Sequence, residues 1–329
     1  MIDMEKNMIE TIRDTLIGMM RQDPRIIVLG EDVGRAGGVF HATEGLIEEF
    51  GEQRVIDTPL AESSIIGIAV GAAMAGLRPI AEIQFADFIH PAVDQIINEA
   101  AKIRYRSNNG YECPIVIRVP YGAGIGGGLY HSQSVEALFF GTPGLKIVAP
   151  CTPYDLKGLL IAAIADPDPV VFLEHKRSYR SIKGSVPTAN HPIPIGTADI
   201  KRQGSHATVI TYGMMVHDAL AVAERLALEG MSVEVLDLRT LQPMDEAAII
   251  QSVRKTGRVL IAHEDNLTGG IGGEIAAIVA DQCFLYLDAP VKRLAAPDIP
   301  AMPYSQSAEA ELLPGERQLE IALRQVLDY

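Results

Sequence analysis

The six residues Asp57-Thr58-Pro59-Leu60-Ala61-Glu62 place a carboxylate at the mouth of Ser63 to Ala75, a stretch made almost wholly of Ile, Val, Ala, Gly, Met and Ser. A helix that is apolar all round has no face for water and must be enclosed. Such a helix is about 20 Å long, too short to span a bilayer, so its expected place is the centre of a large protein or a subunit interface. Glu62 is then either a surface acid favoured by the helix dipole or a carboxyl held in a dry pocket and tuned for proton transfer.

Other segments offer chemistry of their own. Gly122-Ala123-Gly124-Ile125-Gly126-Gly127 satisfies GxGxxG after a strand. A dinucleotide site also needs a helix opening on the last glycine and an acid about 20 residues further on. Leu129 to Ser134 intervene, and no acid lies between Ala137 and Pro150. The segment therefore reads as a loop whose glycines let backbone pass close to something and which carries His131 to it. His41 and His90 are weaker loop candidates. Gln84, Phe85, Asp87 and Phe88 follow a strand; the rings either fill the core or lie against a flat heterocycle. Asp166-Pro167-Asp168-Pro169 is a turn, or a place where oxygens surround a monovalent cation. His263-Glu264 lacks the second histidine of HExxH, and no Cys/His grouping has zinc spacing.

The totals narrow the function. With 329 residues and 48% hydrophobic composition, the chain is long enough for two domains with sizeable cores. A formal net charge of −14 argues against nucleic acid as a partner and suits a partner with a basic patch. The cysteines Cys113, Cys151 and Cys283 make no CxxC, so reduced thiols are expected. The start, Met1-Ile2-Asp3-Met4-Glu5, is acidic and helical in pattern with no basic leader, which makes the cytoplasm the default, with no membrane partner.

Positioning these groups requires an alternation of helices and strands, the pattern of α/β architecture with parallel sheets. Helices are expected at 4–20, 43–50, 63–75, 91–106 and 154–165, and strands at 26–30, 54–56, 80–85, 115–119, 145–149 and 170–173. The region from about 180 to 204 holds Pro187, Pro192 and Pro194 and no lasting apolar period. The rhythm then restarts with strands at 207–212, 232–236 and 258–262 and helices at 215–229, 245–255, 273–283 and 316–327. The expected division is a first domain at 1–185, a linker at 186–203 and a second, smaller domain at 204–329.

Taken together, Asp57 to Glu62, Glu82-Ile83-Gln84-Phe85-Ala86-Asp87-Phe88, Tyr130-His131-Ser132-Gln133-Ser134, Thr142-Pro143-Gly144-Leu145-Lys146 and His263-Glu264-Asp265-Asn266 closely resemble one family. It is that of the beta subunits of the thiamine-diphosphate-dependent decarboxylase component of 2-oxo acid dehydrogenase complexes. The resemblance covers nearly the whole chain. The Gln-Phe-Ala-Asp and Tyr-His-Ser-Gln-Ser runs are most similar to branched-chain enzymes, with pyruvate and acetoin dehydrogenases as near relatives. From outside the family, a nucleotide- or flavin-binding α/β module stays open as an alternative.

The resemblance implies a transketolase-like pyrimidine-binding domain followed by a transketolase C-terminal-like domain, in a heterotetramer of two alpha and two beta subunits. Thiamine diphosphate would lie between alpha and beta, with magnesium and the diphosphate held by alpha. This chain accordingly lacks the Gly-Asp-Gly…Asn element that holds metal and diphosphate. By the same resemblance Glu62 would hydrogen-bond and exchange a proton with the pyrimidine ring nitrogen. Leu60 and Gln84 would line the pocket, and Phe88, where the branched-chain enzymes carry Tyr, would pack on the ring. His131 would act in acyl transfer to a lipoyl group. Backbone at Ile115 and Val116, with Ala163, Asp166 and Asp168, would form a potassium-like site, although Val116 and Ala163 depart from the mammalian pattern. The second domain would dock a basic domain of the lipoyl acyltransferase core through Asp288 and the terminal carboxylate of Tyr329.

Overall fold

In the computed structural model, which describes residues 4–329, Asn7 opens the first helix with a reciprocal cap. Its side chain accepts the amide of Glu10 and its own amide donates to the Glu10 carboxylate, both at 2.9 Å. A side-chain cap of this kind contributes about 1 kcal/mol. Helix α1 (Met8–Gln22) thus begins later than its apolar spacing suggests. The residues before it form a strand, β1 (Met4–Asn7), paired antiparallel with Lys183–Val186. Met1-Ile2-Asp3, expected to be helical, lie outside the described residues.

The chain divides into two compact units. One runs to Tyr121 and takes in Gly141–Ile195; the other holds Gly122–Phe140 and Gly196–Tyr329. The glycine-rich segment, expected with the first domain, therefore packs with the second.

In the first unit, β2 (Ile26–Gly30), β3 (Val55–Asp57), β4 (Arg78–Glu82), β5 (Val116–Tyr121), β6 (Lys146–Val148) and β7 (Val170–His175) lie parallel in the order β6-β7-β5-β4-β2-β3. Every residue of β2, β5 and β7 is buried, as in strands covered on both faces. Chain order reverses between β2 and β4, and in such sheets ligands sit outside the carboxyl ends of the strands at that point. Met8, Ile12, Leu16 and Met20 of α1 form one buried line within the core cluster that includes Leu156, Leu159 and Leu160.

One sequence expectation is narrowed here and another needs correcting. Helix α2 (Glu62–Met74) buries Ile65, Ile66, Ala69, Val70 and Ala73, but Ile68 is 58% exposed and Leu60, just before it, 70% exposed. The chain by itself encloses only one side of this apolar helix. The expected single helix at 91–106 is a series of tighter and wider turns with a π-helical segment at Gln95–Glu99 and an α-helical end at Ile103–Arg106. The extra residue in the π turn rotates the apolar face, so Ile96, Ala100 and Ile103 are buried while Val93 and Ile97 are only half-buried.

The second unit carries a five-stranded sheet in which Lys292–Ala296, Val259–Asn266, Ala207–Thr211 and Val233–Asp237 are parallel neighbours in that order. Asp199–Arg202 closes it antiparallel. The two outer strands carry weak apolar pattern, which is why sequence periodicity missed them. All three cysteines are buried with no disulfide, and burial pushes the Cys113 thiol up to about 12. No helix among the described residues is long and apolar enough to cross a membrane.

Candidate functional site

Two loops meet at the carboxyl ends of β2 and β3. The Asp57 carboxylate accepts the amides of Gly34 at 2.5 Å and Arg35 at 3.1 Å, and the Thr58 amide donates to the Gly30 carbonyl at 2.9 Å. A Cβ at Gly34 would lie 2.8 Å from the Asp57 carboxylate, so a larger residue there would push that carboxylate aside. The Asp-Thr pair thus straps down the segment that follows β2. That segment carries Glu31, whose carboxyl is held above the usual carboxylate range by burial, then by the charges of Asp32 and Glu62. Glu62, the first residue of α2, is half-buried in this chain. Gln84, after β4, reaches the Glu31 carbonyl and the Asp32 carboxylate at 3.4 Å each. The structure therefore brings Glu62, Glu31 and Gln84 to one place, the sheet's reversal point, with Leu60 exposed beside them.

Phe88 is half-buried and is held by rings rather than by polar contacts alone. Its ring lies edge-on to Phe85 (6.0 Å), Phe85 to Phe40 (5.5 Å) and Phe40 to Tyr179 (5.0 Å). The Tyr179 hydroxyl donates to Glu174 at 2.6 Å. Glu174 in turn takes a bidentate pair of bonds from Arg118 at 2.7 and 2.8 Å, and the same guanidinium binds Glu82. Arg118, Glu82 and Glu174 are all essentially inaccessible to water. Burial raises the Glu82 carboxyl against the opposing pull of Arg118, and the Glu174 charge adds to the rise. Sequence reading missed this network. Its signal was a charged residue set against an apolar run in each of three strands: Glu82 after Ile80-Ala81, Arg118 between Ile117 and Val119, and Glu174 after Val171-Phe172-Leu173.

His131 belongs to the second unit. It follows a tight turn at Gly128–Tyr130 and is half-buried. Gly122, Gly124, Gly126 and Gly128 all have φ between +63° and +86°, an alternation that turns successive amides to one concave side, the arrangement that cradles anions. The anions here are internal. The Ala123 amide donates to Glu264 at 2.6 Å, and those of Gly124 and Gly126 donate to Glu309 at 2.9 and 3.0 Å. Three amides of the GxGxxG segment are thus committed to carboxylates. A cleft of about 80 Å³ opens beside it, lined by Ser132, Gln133, Ser134, Glu264, Asp265 and Asn266 among others. Nearby, the Tyr212 hydroxyl donates to the fully buried Glu136 at 2.7 Å. Burial pushes the carboxyls of both Glu136 and Asp265 up. His263 is buried and its imidazole is pushed down to about 4 by that burial, while the Gly272 amide donates to its Nε2 at 3.3 Å.

The remaining candidates lie elsewhere. The Ile115 carbonyl accepts the Val170 amide at 3.0 Å and that of Ala163 accepts the Asp166 amide at 3.3 Å, while Val116 lies in β5. The Lys146 ammonium sits 2.6 Å from both Asp166 oxygens and 3.6 Å from Asp168, which Arg104 meets at 2.5 Å. Two side-chain cations thus already lie against the carboxylates of the potassium-like set. Asp288 is exposed and 3.3 Å from Arg258, and Tyr329 is exposed at the C-terminus.

Residues 4–182 match the transketolase pyrimidine-binding domain and residues 196–319 the transketolase C-terminal domain. The 2-oxoisovalerate dehydrogenase subunit beta of Bacillus subtilis is 61% identical over 310 residues, covering 94% of this chain and 95% of that one. The pyruvate dehydrogenase E1 component subunit beta of the same organism is 47% identical, covering 99% of each chain. The mitochondrial 2-oxoisovalerate dehydrogenase subunit beta 2 of Arabidopsis thaliana is also 47% identical, covering 98% of this chain and 89% of that one. A solved split-gene transketolase, described as an inactive beta4 tetramer, superposes with a TM-score of 0.79 over 98% of each chain at 22% identity, which supports the fold. The chain belongs to the transketolase-like family of 2-oxo acid dehydrogenase E1 beta subunits. Within that family it is a homologue of the branched-chain, 2-oxoisovalerate type, with the pyruvate type at lower identity.

Proposed function

We propose that this chain is the beta subunit of a branched-chain 2-oxo acid dehydrogenase, active only when joined to an alpha subunit in an alpha2beta2 assembly. The observation that carries the proposal is the Glu31–Glu62–Gln84 grouping at the sheet's reversal point, in a chain 61% identical to a 2-oxoisovalerate dehydrogenase beta subunit. The donor set fits the pyrimidine end of thiamine diphosphate: a carboxyl for a ring nitrogen, an amide side chain, and the Phe88 ring and Leu60 for an apolar face. When bound, thiamine diphosphate supplies a nucleophilic carbon and an electron sink for loss of carbon dioxide.

The protein's part is positioning and proton transfer. Glu62 holds a proton at the pyrimidine nitrogen and returns it, which general acid–base catalysis rewards by about 10²–10⁴-fold. Glu31, whose own carboxyl is held up by burial and by the charges of Asp32 and Glu62, stands beside it. Phe88 fixes the plane of the heterocycle through the ring chain that ends at Tyr179. Overall, the 2-oxo acid loses carbon dioxide and its acyl carbon is oxidised by two electrons. The lipoyl disulfide, taking one proton, becomes a thioester and a thiol, with His131 serving the acyl transfer. Magnesium and the diphosphate are assigned to the alpha subunit. Asp288 and Tyr329 are assigned to docking a basic domain of the acyltransferase core. A potassium site is assigned to backbone at Ile115, Val116 and Ala163 with Asp166 and Asp168, where a cation would compete with Lys146 and Arg104 for the carboxylates.

The test is reconstitution with a branched-chain alpha subunit and steady-state rates on 3-methyl-2-oxobutanoate and on pyruvate. A preference of about tenfold or more in kcat/KM for the branched substrate is expected, since a hydrophobic pocket discriminates by that order per methylene. Preference for pyruvate overturns the substrate assignment. Glu62→Gln should lower decarboxylation by about 10²-fold or more, and turnover near wild type would leave Glu62 without a catalytic role.

A further inference from the structure

The glycine-rich segment looks like a phosphate loop and is not used as one. Its alternating left-handed glycines aim amides at a common point, and that point is filled by the carboxylate of Glu309, which is only 3% exposed. Glu309 accepts one amide with each oxygen, Gly124 at 2.9 Å and Gly126 at 3.0 Å. Glu264 takes the amide of Ala123 at 2.6 Å. The Gly122 amide closes the loop on the Gln133 carbonyl at 3.0 Å, so the ring between these two ends contains His131. Tyr304 seals the other side: a Cβ at Gly128 would lie 2.4 Å from its ring. Buried amides must find acceptors, and an ionised acceptor binds about twice as strongly as a neutral one. A glycine-rich backbone has little else to hold it in one conformation.

We propose that Glu309, with Glu264 beside it, is a positioning residue for acyl transfer: its carboxylate is the built-in anion that moulds the glycine-rich loop and so sets where His131 stands. This rests on the role proposed above for His131. Glu309 touches neither substrate nor cofactor in this account; it acts only through the loop. It follows that the step served by His131 depends on Glu309, whereas the decarboxylation served by Glu62 does not.

The experiment compares wild type, Glu309→Gln and Glu309→Ala in the assembled alpha–beta enzyme with three measurements. Hydrogen exchange of peptides spanning residues 122–128 reads the anchor directly and needs no turnover. Dye-linked oxidation of 3-methyl-2-oxobutanoate reads decarboxylation, and reductive acylation of a lipoylated domain reads the second step. In Glu309→Ala, exchange in the loop should accelerate about tenfold while the strand Ala207–Thr211 stays protected. Acylation should fall about tenfold, as buried charged hydrogen bonds are lost, with dye-linked turnover within about twofold of wild type. Glu309→Gln, which keeps one accepting oxygen, should fall between. Unchanged exchange, acceleration that spreads to Ala207–Thr211, or an equal loss in both turnovers would overturn the proposal. If wild type itself oxidises no 2-oxo acid, the functional assignment fails together with the catalytic half of this proposal, and exchange alone still decides whether Glu309 anchors the loop.

Discussion

Replacing Arg118 with methionine removes the single guanidinium that faces two fully buried carboxylates, Glu82 and Glu174. The side chain lost is similar in volume, so the effect is electrostatic rather than a cavity. Three hydrogen bonds disappear, one to Glu82 and two to Glu174 at 2.7 and 2.8 Å, and the buried cluster goes from one net negative charge to two. Removing one partner of a buried ion pair costs about 3–5 kcal/mol, because the remaining charge has no water to turn to. The cost depends on pH with a definite sign. The folded-state carboxyl of Glu82 is already held above its ordinary range by burial, and without Arg118 it rises further. Folding therefore favours its protonated form, so stability is intact below the unfolded carboxylate value and is lost as pH rises through the raised folded value. Urea unfolding of the variant at about pH 5 and about pH 8 should show most of the loss at the higher pH. Glu82→Gln and Glu174→Gln added to the Arg118→Met background should recover much of it, since an uncharged, packed cluster is tolerated where a half-paired one is not. A loss under about 1 kcal/mol that is the same at both pH values would refute the reasoning.

Two further outcomes follow from the same physics. Asp57→Ala leaves the Gly34 and Arg35 amides without their shared carboxylate, and should cost about 1.5–3 kcal/mol in urea unfolding with a parallel fall in decarboxylation; unaltered activity would mean that the strap does not position Glu31. Lys146→Met leaves the partly exposed Asp166 without its cation while Arg104 still meets Asp168, so a loss of only about 1 kcal/mol is expected. That loss should be recovered by potassium more than by an equal concentration of the larger tetramethylammonium, as read by Tm; an ion-independent Tm would show that Asp166 does not need a counter-charge.

Much of the architecture could be read from the apolar rhythm. Ile26 to Gly30 and Val170 to Leu173 are continuous apolar runs, and parallel strands covered on both faces have that pattern. The helix at 91–106 was misjudged because a π turn adds one residue without changing composition, so the spacing of Val93, Ile96, Ile97 and Ile103 still looks helical. The edge strands at Asp199–Arg202 and Lys292–Ala296 are half-exposed and charged, which hides them from any period-two search. At the site, the position of Glu62 suited a surface acid favoured by the helix dipole as well as a tuned carboxyl, and its proposed role came from the motif resemblance. The partners that hold the site in place were not legible, since Arg118 meets Glu82 and Glu174 across 36 and 56 residues of sequence. The glycine segment was legible as a loop but not as a filled anion cradle. Glu309 lies 185 residues from Gly124, and nothing local marks it.

The open flank of helix α2 carries a cost for the cell that makes this chain. Until another protein lies over Leu60 and Ile68, two large greasy side chains face water on a monomer, the kind of surface that drives clumping. The surplus of acidic side chains, a formal −14, then works as a brake, since copies of the chain repel one another long enough for a proper mate to arrive.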